Sequence, residues 1–169
     1  MIIGVMADSH DNLPMIRAAL AAFAAADARL LVHAGDFVAP FAVRAVLEFP
    51  HRAVGIFGNN DGERAGIRKI WPEVTNGLLT MRVANRNILV IHDRTRLAPD
   101  SLASADILIH GHTHRAEITR EGHPLCVNPG ECGGWLTGKP TVALIDTDTM
   151  HAEIVHLTAG NPASGEGHQ

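Results

Sequence analysis

The sequence predicts a single α/β domain with a sheet-on-sheet core and helices on the outside. Three observations predict it. In the first half, apolar runs of strand length alternate with segments of helical periodicity, whereas the second half is mostly strand. Five of the apolar runs stop at short polar segments: Asp8-Ser9-His10, Gly35-Asp36, Gly58-Asn59-Asn60-Asp61, Ile91-His92-Asp93 and Gly111-His112-Thr113-His114. The length, 169 residues, suffices for one domain with a full core and is short for two of ordinary size.

Residues 2–7 form a continuous apolar run of the kind buried on both faces of a sheet. A helix follows, with Asp11 or Asn12 to cap it, Pro14 in its first turn, and Ile16, Leu20 and Phe23 at helical spacing among alanines. Residues 29–34 give a second strand. Pro40 opens another helix, with Phe41, Ala45 and Phe49 on one stripe and Pro50 as its stop. A third strand, 52–57, and a short helix, 63–70, come next. Alternating residues predict a hairpin of 78–83 and 88–92 about Asn85-Arg86-Asn87. A short helix is expected over 99–105 and a strand over 106–110. Strands 116–120 and 124–127 flank a turn at Glu121-Gly122, Asn128-Pro129-Gly130 reads as a tight turn, and 141–146 pairs with 153–157. The expected division is a domain over 1–157 and a flexible tail over 158–169.

Composition excludes several classes. The chain is 46% hydrophobic and 19% charged, which is globular. Fourteen Lys and Arg against eighteen Asp and Glu leave a formal charge of -4, so no broad basic field invites nucleic acid, and 4% aromatics offer few stacking surfaces. The alanine-rich stretch 18–28 is bounded by Arg17 and Asp27, short of the ~20 apolar residues a bilayer needs, and the N-terminal run lacks a basic leader. No membrane segment is expected. Cys126 and Cys132 form no C-x-x-C pair and fit a reduced, cytoplasmic setting.

The polar segments carry the chemistry. Residues two apart on an extended segment point the same way, so Asp8 with His10, and His112 with His114, each offer paired donors. Asp36, Asn59 and His92 complete a set of seven mixed nitrogen and oxygen ligands. That exceeds one tetrahedral zinc and matches two divalent ions sharing a carboxylate. Mn is the first expectation, and Fe, Zn, Co or Ni are compatible with the donors. Two ions about 3.5 to 4 Å apart can hold a bridging hydroxide and neutralise the oxygens of an in-line phosphoryl displacement, so phosphoester hydrolysis is the expected reaction. There is neither a G-x-S-x-G elbow nor a Walker loop.

Asp8-x-His10, Gly35-Asp36, Gly58-Asn59-x-Asp61, His92 and Gly111-His112-Thr113-His114 resemble, in order and spacing, the calcineurin-like metallophosphoesterase family, over residues 1 to about 150. The likeness is greatest to its small, capless phosphodiesterase branch, which also carries an Asn-Pro-Gly stretch. The resemblance implies a four-layer α/β/β/α sandwich. It also implies Asp8, His10, Asp36 and His114 around one metal, and Asp36, Asn59, His92 and His112 around the other, with Asp36 bridging. Asp36, Asn59 and His112 are expected to act on catalysis directly. Many members carry a His that contacts phosphate and protonates the leaving group where this chain has Asn60. The fourth motif, often Gly-His-Gly or His-Gly-His, is here Ile91-His92-Asp93-Arg94, and Arg94 is suited to grip a phosphate oxygen. Asn60 and Arg94 are thus the expected substrate contacts.

Each motif also has a plainer reading, since a lone D-x-H or H-x-H is more often a capped loop or a satisfied polar group. His33 and His110 are expected to be structural; Asp61 to orient a neighbouring His or cap a helix; Asp93 to hold a loop or pair with Arg94 or Arg96; the cysteines to fill apolar space; and His51, His123, His151, His156 and His168 to lie on the surface or in turns. The functional expectation is a phosphodiesterase or phosphatase acting on a small phosphoester, with a homo-oligomer left open. The alternative is a binding protein on the same fold, resembling the small subunit of the retromer coat; retention of all seven donors favours catalysis. A single-zinc hydrolase of the metallo-β-lactamase type is weaker, because His112-x-His114 lacks the following Asp-His.

Overall fold

The computed structural model describes residues 1–120 and 124–158. Their backbone forms two five-stranded sheets. The first has the order β10-β9-β1-β2-β3, from β1 (Ile2–Met6), β2 (Leu30–His33), β3 (Arg52–Gly55), β9 (Thr141–Asp146) and β10 (His151–His156). The second has the order β4-β5-β6-β8-β7, from β4 (Leu79–Val83), β5 (Arg86–Val90), β6 (Ile107–Ile109), β7 (Ala116–Thr119) and β8 (Leu125–Pro129). Strands β1, β2 and β3 are parallel, as are β5, β6 and β8; β9 runs antiparallel beside β1, and β4 and β7 run antiparallel on either side of the second trio.

Period-two alternation decides which layer each side chain enters. Ile3, Val5 and Val32 face inward to meet Ile88, Val90, Ile107, Ile109 and Val127 of the second sheet. Met6 and Leu31 face outward against the helices. Helix α1 (Leu13–Ala25) is capped by Asn12, whose Oδ1 accepts from Met15 N at 3.3 Å, and it buries Met15, Ile16, Ala19 and Phe23. Helices α2 (Pro40–Val46) and α3 (Arg64–Ile70) complete that outer layer. The opposite face of the second sheet, Leu89, Ile91 and Leu108, is covered by Leu97 and Leu102 from two 3-10 turns, Arg94–Arg96 and Pro99–Leu102. The fourth layer is therefore made of 3-10 turns, and the helix expected over 99–105 is one of them.

Local details differ from the sequence reading in three further places. Phe41 is 51% exposed; the buried face of α2 is Ala42, Val43, Ala45 and Val46. The hairpin reverses at Ala84 and Asn85, both left-handed at φ 47 and 63, and Arg86 already belongs to β5. Two consecutive left-handed residues suit the twist of the flanking strands. Asn128 and Pro129 are not a turn but the end of β8, and Gly130 follows at φ 80. The Glu121-Gly122 turn, His123, His168 and most of the expected tail lie outside the described residues.

Candidate metal centre

The carboxyl ends of the parallel strands of both sheets meet at one rim, the usual place for a ligand in such folds. Each predicted donor comes from a loop leaving one of them. Asp8 and His10 follow β1, Asp36 follows β2, Asn59 follows β3, His92 follows β5, and His112 and His114 follow β6. Asp8, His10, Asp36, His112 and His114 all have positive φ, between 40 and 70. Non-glycine residues in that region are uncommon and costly, and they collect where a site needs a side chain aimed against local preference.

The side chains converge as two groups around one oxygen. In the first, Asp8 Oδ1 lies 3.9 Å from His10 Nε2 and 3.5 Å from His114 Nε2, and His10 Nε2 lies 3.8 Å from Asp36 Oδ2. In the second, His92 Nε2 lies 3.4 Å from the same Asp36 Oδ2 and 3.0 Å from Asn59 Oδ1, which is 2.8 Å from His112 Nδ1. Asp8, Asp36 and His92 also bring donor atoms within 4.8 Å of one another. All seven predicted donors thus stand at one centre.

The approach depends on glycine. A Cβ on Gly58 would sit 2.1 Å from Asp36 Oδ1, and one on Gly111 would sit 2.8 Å from Asp8 Oδ2. Asp61 holds the loops by another means than expected: it neither caps α3 nor touches a His. Its carboxylate accepts from Asp36 N, Val38 N and Gly58 N at 3.0, 2.8 and 2.7 Å, so it pins the β2 and β3 loops together. His33 and His110 are buried and structural, as expected. Gly35 N donates to His33 Nδ1 at 3.2 Å, which leaves Nε2–H to donate to Ser9 Oγ at 3.0 Å. Asn128 Nδ2 donates to the Gly111 carbonyl and to Thr113 Oγ1, which sets the loop between His112 and His114. Asp93 accepts from Thr95 N and Oγ1 and lies 3.5 Å from Arg96.

Asn60 donates from its backbone N to Asp36 Oδ1 and from Nδ2 to Asp36 Oδ2, each at 2.8 Å. Arg94 is exposed on its 3-10 turn; it is Arg96, with Arg64, that lines a cleft of about 370 Å³ beside Asn59, His92 and His112. Two residues were not found by sequence reasoning. Glu131 is fully buried and its Oε1 lies 3.3 Å from His114 Nδ1. Trp135 donates from Nε1 to the His10 carbonyl at 3.0 Å. Neither has a local signal, because both reach the centre across more than a hundred residues or through a loop of Gly and polar residues.

Electrostatics make the centre demand positive charge. Burial raises the Asp8 carboxyl to about 6, against opposing attraction from His92 and His114. Burial would raise Asp36 too, but His92 in its imidazolium form and the amides of Asn60 hold it well below the usual carboxylate range. Burial lowers His10 and takes His33 down to about 3. His92 Nδ1 is 2.8 Å from the Ala34 carbonyl and so carries the ring proton in the neutral form, which turns its Nε2 lone pair toward two oxygens. Asp8 Oδ1, His10 Nε2 and His114 Nδ1 are buried without a hydrogen-bond partner. Facing acceptors and orphaned buried atoms are costly unless a cation lies among them, so the donor set fits divalent metal.

The family model for the calcineurin-like phosphoesterase superfamily domain matches residues 1–150. The chain belongs to this superfamily. Phosphodiesterase MJ0936 of Methanocaldococcus jannaschii is 30% identical over 92% of this chain and 99% of its own. Phosphodiesterase YfcE of Escherichia coli is 26% identical over 85% and 86%. Among solved structures, an archaeal phosphodiesterase superposes with a TM-score of 0.82 at 30% identity, covering 93% of this chain and all of that one. Vps29 of Entamoeba histolytica, solved with zinc, reaches 0.68 at 18% identity over 92% and 99%, a likeness of fold. As a member of this superfamily with a retained donor set, the chain is a phosphoester-hydrolysing enzyme that takes divalent metal. Among the described residues, no helix is long and apolar enough to cross a membrane.

Proposed function

We propose that the protein is a binuclear metal-dependent phosphodiesterase. The observation that carries this reading is the sharing of Asp36 Oδ2 between two donor groups, 3.8 Å from His10 Nε2 on one side and 3.4 Å from His92 Nε2 on the other. Asp8, His10, Asp36 and His114 would hold one ion, and Asp36, Asn59, His92 and His112 the second. Mn is the first choice, with Fe, Zn, Co or Ni compatible with mixed nitrogen and oxygen donors. Ions bound there supply a hydroxide nucleophile at neutral pH and neutralise charge on the phosphoryl oxygens.

The chain's own residues do the rest. Asn60 and Asp61 fix the shared carboxylate and its loop, the Ala34 carbonyl orients His92, the Glu131 carboxylate lies against His114, and Arg96 offers a cation at the rim. Asn60 cannot give a proton to a leaving group, which favours esters whose alcohol leaves without one. The named relatives are phosphodiesterases, and that supports a diester over a monoester. Free thiols at Cys126 and Cys132 fit the cytoplasmic setting we infer.

The test is hydrolysis of a chromogenic aryl phosphodiester by Mn-loaded protein. We expect metal-dependent turnover, and loss of at least about a thousandfold in Asp36→Ala, since several kcal/mol of charge stabilisation pass through the metals. Turnover that is metal-independent and unchanged in Asp36→Ala would sink the reading. Activity should decline below about pH 6, where imidazoles protonate and Asp8, raised to about 6, takes up a proton that a ligand cannot keep. A rate as high at pH 5 as at pH 7.5 contradicts ligation by these groups. The binding-protein alternative predicts a stable partner in pull-downs and no metal-dependent turnover.

A further inference from the structure

The centre opens on two cavities of unlike chemistry. One, beside Asn59 and His112, has Arg64 and Arg96 in its wall. The other, of about 440 Å³, lies against His10 and His114 and is lined by Val38, Asn60, Trp135 and Leu136. Glu131 is the carboxylate in that second wall, and among the described residues no Lys or Arg lines it. An anionic group is disfavoured there and an uncharged one is not.

Trp135 and Leu136 are 65% and 79% exposed, yet the loop that carries them is fastened at several points. Cys132 N donates to the Ala7 carbonyl and Gly133 N to the Asp8 carbonyl, both at 3.0 Å. Asn12 Nδ2 donates to the Gly133 carbonyl at 2.7 Å, and Leu136 N to Glu131 Oε1 at 3.0 Å. The indole itself is tied to the backbone of His10. Two large apolar side chains exposed to solvent on a fastened backbone are not explained by core packing, and such patches mark binding sites. His10 and His114 belong both to the first donor group and to this cavity, so a phosphoryl group held at the donors can extend one ester arm into it.

We propose that Trp135 and Leu136 form a substrate subsite for an uncharged planar aromatic ring carried on one ester arm of the phosphodiester. The inference rests on the metal-dependent reading above and names the class of substrate that reading leaves open. A fixed indole is a stacking platform, and its pre-paid ordering makes the ring's burial favourable.

The experiment is calorimetric titration of Mn-loaded protein with phenylphosphonate and with methylphosphonate, which share the metal-binding group and differ in the ring. Phenylphosphonate should bind about tenfold tighter, and in Trp135→Ala the ratio should fall to near one while methylphosphonate binds as before. Trp135→Phe, which keeps an aromatic face, should retain most of the preference, and this guards against loss of loop structure as the cause. Phenylphosphonate should also quench the emission of Trp135, one of two tryptophans, the other being the buried Trp71. A ratio near one in the wild type, or an equal ratio in Trp135→Ala, overturns the proposal. So does a wild-type dimer that Trp135→Ala converts to monomer with ring preference unchanged, since the patch would then be an interface. Diester hydrolysis without ring preference defeats this inference alone, whereas ring preference without any diester hydrolysis upholds it and defeats the catalytic reading.

Discussion

The two donor groups share Asp36 but are otherwise unlike. The first adds a second carboxylate, Asp8, with both of its imidazoles backed by structure: His114 Nδ1 faces the buried Glu131, and the His10 carbonyl is held by Trp135. The second adds a neutral amide, Asn59, and its His112 is exposed. Hard divalent cations bind more tightly where more negative charge is already desolvated. On the proposed two-ion reading, the difference makes one site strong and the other weak, with the weak one facing the cleft lined by Arg64, Arg96 and Asp93.

The largest expected effect breaks that asymmetry by adding charge to the weaker side. Wild-type protein titrated with Mn against a chromophoric chelator should show two unequal dissociation constants. Asn59→Asp should tighten the weaker one, on the order of a hundredfold or more by the Coulomb energy of an added carboxylate at a few ångströms. Equal constants in the wild type, or no tightening in Asn59→Asp, would show that the carboxylate count does not set the order.

A smaller effect sharpens the comparison from the stronger side. Glu131 accepts from Leu136 N, Thr137 N and Thr137 Oγ1. Burial would raise its pKa, but those bonds and His114 leave it below the usual value, so it stays ionised behind the imidazole. A carboxylate in that place fixes ring orientation and raises ligand basicity, and losing it typically costs 10- to 100-fold in metal affinity. Glu131→Gln keeps a carbonyl for the loop amides while removing the charge. It should weaken only the tighter Mn constant, by about 10- to 100-fold. Equal weakening of both constants, or of neither, would assign Glu131 to the loop alone.

The same contrast separates what local pattern reveals from what it does not. Strand runs such as that of β1, and the cap at Asn12, follow from periodicity and local bonding, so they are legible in the chain. All seven donors are legible too, because each ends an apolar run and the run's direction aims it at one rim. Glu131 is not, since a Glu after Gly130 looks like any surface residue until β8 carries it to His114. Asn128-Pro129-Gly130 misleads for a related reason: Pro and Gly signal a turn, but Pro129 ends a strand and Asn128 spends its amide on the Gly111 loop. Asp61 reads as a helix cap because the next helix is local, whereas its actual partners are the amides of Asp36, Val38 and Gly58. No local pattern ties Trp135 to His10, which lies far away in sequence.

The smallest effect concerns the floor beneath the first donor group. His33 is fully buried, accepts from Gly35 N and donates to Ser9, and so holds the residues that flank Asp8, His10 and Asp36. Burial depresses its pKa from 6.5 to about 3. The unfolded chain therefore takes up a proton that the folded chain refuses. This penalty is absent above about pH 6.5 and grows as pH falls, by about 1.4 kcal/mol per pH unit, until the folded group itself titrates. At pH 5 it amounts to about 2 kcal/mol, or about 4 to 8 °C in Tm for a domain of this size. His33→Asn keeps an acceptor within reach of Gly35 N and does not titrate. Its Tm should start below the wild type at pH 7 and fall less steeply to pH 5, the two curves converging by that amount. Parallel curves would mean that His33 is solvated in the folded protein, and that the floor under the stronger site is looser than its burial implies.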